Sequence, residues 1–419
     1  MAAQAEAQVL GLELERVLPN VPTLFDREGT FYRELERRPV EIVSKRDMRI
    51  PLELRPGGNF GHFDPDGGDL GRGTGPVFDK ATITPAFLKI GFEFTTLAHW
   101  VTDDRRKAVL NNFRNLLAKG MAEFRRHCDS LCMTAGNGVL GTITTVAAAT
   151  NDTYTLTTDG FGTRLLRFGQ YINVYNAGLT TNRTTGAERP ILVYDHANKT
   201  IQVLAVAGAA PTDKIVVSGL DGAAPASIKG VPYHNSNAST GYWLGFPRAT
   251  TPEIRANAVN ASGSALTLPL PRLAINKIGD RVGLENTSKV QAWCHPCQEQ
   301  AYEQLGMLVT QINTTGGNKG LDLYFGGPKQ IAGAPLKKSF SWDKTRIDFI
   351  DLNVWGRAVM HEASFYTAPE DGKRIFEIRG ASGGVACSNI FYYVAAFDIF
   401  MNNPAAGSYI YGLAVPSGY

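Results

Sequence analysis

Cysteine is scarce in this chain. Five occur in 419 residues, an odd number, which excludes a disulfide-stapled secreted scaffold and points to a reducing compartment. No apolar run approaches the roughly eighteen residues that a membrane helix needs. The opening MAAQAEAQVLGLELERVLPN carries acids where a secretory leader would carry lysines. The expectation is a soluble chain, made in the cytoplasm, with no membrane partner. Charge of one sign is also lacking: the net formal charge is +3, so the surface as a whole is not that of a nucleic-acid-coating protein, although a local basic face stays open. Long internal repeats are absent too.

Catalytic constellations are missing as well. No serine sits in a nucleophile elbow, no glycine-rich loop leads into a phosphate-binding helix, and the seven histidines are scattered. The pairs His234-Asn235 and His361-Glu362 read as polar loop groups or satisfied histidines as readily as catalytic ones. Cys128 and Cys132 fall on one helix face, not at zinc-ligand spacing. We therefore expect no enzyme activity, no cofactor and no metal. The one motif against this is Trp-Cys-His-Pro-Cys in KVQAWCHPCQEQAYEQL. Lys289 to Trp293 alternates like a strand, and Gln298 to Leu305 reads as the first turns of a helix. Cys294 would then lie at a helix N-terminus, where exposed N–H groups lower a thiol pKa. A thiol–disulfide oxidoreductase using Cys294 and Cys297 is the alternative from another functional class. The alternating strand-and-helix domain and the facing proline loop that such an enzyme needs do not follow in the sequence.

Glycine, by contrast, is abundant at 44 residues, and its clustering organises the chain. Residues 1 to 40 form a polar, partly helical arm with too little apolar surface to fold alone. Residues 41–99 read as a long hairpin, VEIVSKRDMRIPLEL running out and ATITPAFLKIGFEFTTL returning, around the Gly/Pro-rich tip RPGGNFGHFDPDGGDLGRGTGPVFDK. The tip cannot fold by itself, because fixing each backbone residue costs roughly 1–2 kcal/mol. Its large apolar groups Phe60, Phe63, Leu70, Val77 and Phe78 are candidates to anchor it on another subunit. Asp64, Asp66 and Asp69 are candidates to pair with arginines there. Residues 103 to 133 carry a three-four apolar pattern through Val109, Phe113, Leu116, Leu117, Met121, Phe124, Cys128, Leu131 and Cys132, which predicts a rod of roughly 45 Å. From residue 142 to about 229 short alternating strands separated by Asn, Asp and Gly turns predict a small all-β barrel or sandwich. Residues 230 to 419 mix helices and strands without regular βαβ winding, an α+β pattern.

The order of arm, Gly-rich hairpin, rod helix and α+β body resembles the major capsid protein of tailed bacteriophages, the Hong Kong 97-type shell fold. The segment FDKATITPAFLKIGFEFTTLAHWVTDDRRKAVLNNFRNLLAKGMAEFRRHCDSLCMTAGNGVLGTI carries most of the likeness, as it runs from a returning strand into a spine helix. GVPYHNSNASTGYWLGFPRATTPEIRANAVNA and MNNPAAGSYIYGL are similar to other stretches of these shells. The resemblance implies an arm (1–40), an extended loop (41–99), a spine helix (100–138), an inserted all-β domain (139–229), an axial domain (230–345) and a peripheral domain completed by 346–419. It also places Cys294 and Cys297 at a structural strand-to-helix turn. The implied function is self-assembly as hexamers and pentamers into an icosahedral virion shell around double-stranded DNA. Implied partners are a portal, a separate scaffolding protein if one is needed, and a cement protein. A cellular nanocompartment shell of the same fold is the nearest alternative. The family's lysine–asparagine crosslinking would call on Lys45, Lys80 or Lys89 with Asn402 or Asn403, and their spacing gives it no support.

Overall fold

The computed structural model describes residues 30–38, 40–42, 47–62, 66, 72–95, 112–157, 161–184, 186–220, 222–313, 330–370, 372–379 and 385–418. Thr102, Asp103, Asp104 and Val109 of the predicted rod lie outside them. Four helices matter to the argument: α1 (Thr30–Glu34), α2 (Asn112–Cys132), α3 (Pro269–Val282) and α4 (Pro296–Asn313).

Two sheets make the body. In the first, the long strand Val385–Met401 is central, flanked by Trp355–Phe365, Phe376–Arg379 and Ala86–Thr95. Arg37–Arg38 adds a short parallel edge. Its apolar face carries Phe92, Phe391 and Tyr393, and α2 lies against it. The approach is close at Gly120, where a Cβ would come within 2.9 Å of the Phe92 ring and 3.0 Å of Tyr393. Further along α2, Phe124, Cys128, Leu131 and Cys132 are buried, as the three-four spacing predicts. The second sheet has the order Asn257–Asn260, Ser408–Tyr411, Ile347–Ile350, Gln291–Cys294, Ala334–Lys338, Gln330–Ile331. Ala274 and Ile278 of α3 and Ala301 and Leu305 of α4 pack on it around Ala292, Phe349 and Ile410.

Two pairings cut across the segment borders expected above. Thr84 and Pro85 interrupt the returning strand, since proline offers no ladder donor and holds its predecessor extended. Val77–Ile83 stays with the hairpin, while Ala86–Thr95 leaves it for the large sheet. Likewise Ile347–Ile350 and Ser408–Tyr411 belong to the second sheet, not the first. A border at 346 therefore does not divide the two sheets.

Residues 139–217 close into a six-stranded barrel in the order Thr200–Leu204, Asn151–Leu156, Val139–Ala147, Lys214–Val217, Tyr171–Tyr175, Arg189–Asp195. Tyr154, Ile172, Val174, Ile191, Ile201, Val203 and Ile215 fill it. The barrel is not a separate bead. Its interior is continuous with the body core through Leu165, Leu166 and Trp342. The buried Arg164 guanidinium donates from the barrel turn to the carbonyls of Phe340 (3.0 Å) and Trp342 (2.8 Å). The chain enters and leaves the barrel side by side, bridged at Ala135 and Lys229, with Ser227 N–H donating to Gly136 O. Only glycine fits at 230, where a Cβ would lie 2.2 Å from the Cys132 carbonyl oxygen.

Candidate intersubunit surfaces

The hairpin is exposed along most of its length. Met48–Arg55 pairs antiparallel with Val77–Ile83, from Met48 opposite Ile83 to Arg55 opposite Val77. Eight residues at about 3.4 Å each make an arm of roughly 27 Å. Its base is held: Met48, Ala81 and Ile83 are buried against Trp243, Phe246, Ala358 and Phe400. Thr82 N–H also donates to Leu244 O at 2.9 Å. Ile50, Leu52 and Leu54 lie along one face, while Arg49, Pro51, Glu53 and Arg55 face solvent. Arg55 reaches Glu253 at 3.2 Å, an exposed pair that contributes little to stability. Beyond the ladder, Gly58 N–H donates to Thr74 O at 2.7 Å, and the Thr74 hydroxyl donates back to Gly58 O. Gly57 has a positive φ of 73°, and a Cβ there would meet the Gly75 carbonyl carbon at 2.5 Å. Glycine is therefore what lets the two sides of the tip close on each other.

Of the predicted contact residues, Phe60 is fully in solvent, Asp66 is exposed, and Val77 and Phe78 are 48% and 66% exposed. Val77 to Lys80 is exposed on both faces and forms an outer edge of its three-stranded sheet. Phe63, Asp64, Asp69 and Leu70 lie outside the described residues. Other apolar groups left in water were not singled out from the sequence: Phe87 on the large sheet, Phe168 and Phe340 at the barrel–body seam, and Leu273 and Leu284 near α3. Phe168 and Phe340 sit in RFGQ and SFSW, polar surroundings that were a readable sign of exposure.

The places that suggested chemistry are built for packing. Gln291–Cys294 and α4 form the expected strand-to-helix turn, yet both thiols are fully buried. Burial drives the Cys294 thiol far above its ordinary value and pushes Cys297 up to about 11. Desolvation thus outweighs the helix terminus, and the thiolate is disfavoured. The Cys297 amide donates to His295 Nδ1 at 3.1 Å. His234 is buried and satisfied on both nitrogens: Nε2–H donates to Ile399 O at 2.9 Å, and Nδ1 accepts from Trp243 Nε1–H at 3.1 Å. Burial lowers its pKa to about 3, so it is neutral. Asn235 donates to Asp348, which also takes Arg346 at 2.6 Å and Trp342 Nε1–H at 3.0 Å. His361 is exposed, and its Nδ1 bonds to the Glu362 carbonyl at 2.8 Å. No group of metal ligands occurs among the described residues. The His234–Ile399 and Asn235–Asp348 bonds tie distant segments of the body together.

No family model matches the sequence, and no curated protein matches it. Among solved structures, the chain is similar to the Cyanophage A-1(L) capsid, with a TM-score of 0.58 at 12% identity over 95% of this chain and 96% of that one. It also overlays the capsid of a native GTA particle, with a TM-score of 0.47 at 11% identity over 98% and 100% of the two chains. An encapsulin complex from Synechococcus elongatus gives 0.44 at 9% identity over 100% and 99%. The first of these establishes the fold: α+β, with few helices and many strands, of the phage capsid type.

Proposed function

We propose, from a chain with a phage capsid-type fold, that the protein is the major shell subunit of a tailed bacteriophage. Copies assemble as hexamers and pentamers into an icosahedral shell around double-stranded DNA, in the virion and first in the bacterial cytoplasm. The observation that carries this reading is the end-to-end match with the cyanophage capsid, which leaves almost none of either chain unpaired. In it α2 is the spine helix, the hairpin is the extended loop, the α3/α4 sheet is the axial domain, and the barrel is an added domain. Shell assembly also accounts for an arm whose aromatic side chains face water, because heterologous contacts repeated around a closed ring bury such groups. The portal, scaffold or cement proteins act on the assembled rings, and DNA is held without sequence readout.

The test is expression of the full chain followed by electron microscopy and nucleic-acid analysis of purified particles. Closed icosahedral shells support the reading. Monomers alone, or open filaments, sink it. Shells filled with a protein cargo and free of packaged DNA would assign the chain to nanocompartments.

A further inference from the structure

Two buried carboxylates, Asp129 on α2 and Asp398 on the central strand Val385–Met401, hold segments that arrive from elsewhere. Asp129 is 1% exposed, and one oxygen accepts the Tyr32 amide at 2.9 Å, which fixes the root of the arm. Asp398 has no exposure, and one oxygen accepts the Lys229 amide at 2.8 Å, which fixes the chain as it leaves the barrel. In both, the second oxygen is buried and has no hydrogen-bond donor among the described residues. Such an oxygen is costly when charged.

We propose that these carboxylates make a proton-operated seam: a proton taken up on the oxygen of each that lacks a hydrogen-bond donor tightens the docking of arm root and barrel exit, and its loss loosens both. The surroundings favour the protonated form. Asp129 is faced by the Cys128 and Cys132 thiols of its own helix. Arg357, the cation that faces these thiols, is already engaged with Leu35 O and the Tyr32 ring. Asp398 is faced by Cys132 of α2, by Tyr233, and by Lys229, whose ammonium forms a long ion pair of 3.9 Å with the oxygen that lacks a hydrogen-bond donor. Burial raises Asp129 to about 6 and Asp398, despite Lys229, to about 7. A carboxyl whose docked value lies above its open value binds protons more tightly when docked. Docking is therefore fully favoured below the open-state value near 4, and the advantage is lost as pH rises through about 6 to 7. The seam closes in acid and relaxes in mild alkali.

Hydrogen exchange of the full chain tests this, with intrinsic amide rates corrected for pH. Protection of peptides containing Tyr32 and Lys229 should rise about tenfold or more between about pH 8 and pH 5. Asp129→Asn and Asp398→Asn keep an acceptor oxygen and remove the charge. Each should abolish the slope at its own segment and leave the other intact. A wild-type profile that is flat or of opposite sign overturns the proposal, as does a slope that survives in both variants. If a variant does not fold, infrared carboxyl-stretch spectra of the wild-type protein decide. Buried carboxyls titrating between about pH 5 and pH 8 support the seam, and none titrating there overturns it.

Discussion

Phe31 meets Trp293 edge to face, with ring centroids 5.2 Å apart. The same ring stands edge-on to Trp342 at 5.5 Å and to Trp355 at 6.0 Å, so one side chain from α1 is enclosed by three indoles, one from each sheet and one from the turn before Ile347. Edge-to-face packing of this kind contributes beyond the area it buries. Phe31→Ala should cost about 3–5 kcal/mol of stability. Because the indoles line the vacated space, tryptophan emission should change with it. Unchanged unfolding midpoint and emission would mean that α1 is peripheral to the fold.

The hairpin should matter to assembly and not to the subunit. Phe60 and Phe78 touch little within their own chain, so Phe60→Ala and Phe78→Glu should shift subunit stability by no more than about 0.5 kcal/mol. In shells each apolar anchor contributes about 1.5–3 kcal/mol, so both variants should sediment as unassembled rings or subunits. Amide exchange across residues 55–79 should slow on assembly. Normal shell yield from the double variant would remove the hairpin from the contact.

Cys294 and Cys297 should be inert. The native protein should resist thiol alkylation at both positions and show no insulin-reducing activity. Replacing both with Ala should leave particles intact, at a cost of about 1–2 kcal/mol. A reductase activity that disappears in the double variant would restore the redox reading.

His234 sets an acid limit. Its value falls from 6.5 to about 3 on folding, so the folded state binds fewer protons than the unfolded one. Stability from this site is complete above about pH 6.5 and is lost as pH falls toward 3, the opposite sign to Asp129 and Asp398. His234→Gln should flatten the acid limb of a stability–pH curve while lowering the curve as a whole. An unaltered acid limb would show that the imidazole titrates freely in the native protein.

Covalent bonding between subunits is not expected. The Asn403 side chain caps the following turn by accepting the Ala405 amide at 3.1 Å, and Lys80 and Lys89 are exposed and solvated. Boiled, reduced particles should run as a single band at the 45.5 kDa of the chain. A ladder above that band would contradict this.

What could be read from the sequence was local. The α2 periodicity, the hairpin ladder, five barrel strands and the strand-to-helix turn at Cys294 each follow from side-chain alternation over a few residues. Val139–Ala147 begins before residue 142, where the expected alternation starts, in a glycine-flanked stretch, GVLG, that obscures its alternation. The membership of Ile347–Ile350 and Ser408–Tyr411 in one sheet was hidden for a different reason. Their partners lie far along the chain, and nothing in a short window specifies them. The root of the arm misled most. Phe31, Tyr32 and Leu35 are only three apolar residues among charges, too few to predict a fold, yet all three are buried, Phe31 among the indoles and Tyr32 against Phe397. Among the candidate contacts, Phe60, Val77 and Phe78 were legible as exposed apolar surface in a Gly-rich stretch.

The paired crossing at Ala135 and Lys229 has a consequence for how this subunit can vary. Two strands bridged this way stand about 5 Å apart, so the whole barrel hangs from a doorway one strand-pair wide. Removing residues between them would leave ends that a very short turn can rejoin, with the body's threading unchanged. The barrel is in that sense a cartridge: a lineage, or an engineer, can exchange it for another folded unit whose ends are equally close. Whatever replaces it must still cap Trp342 and supply a guanidinium, or a substitute, for the carbonyls that Arg164 now holds.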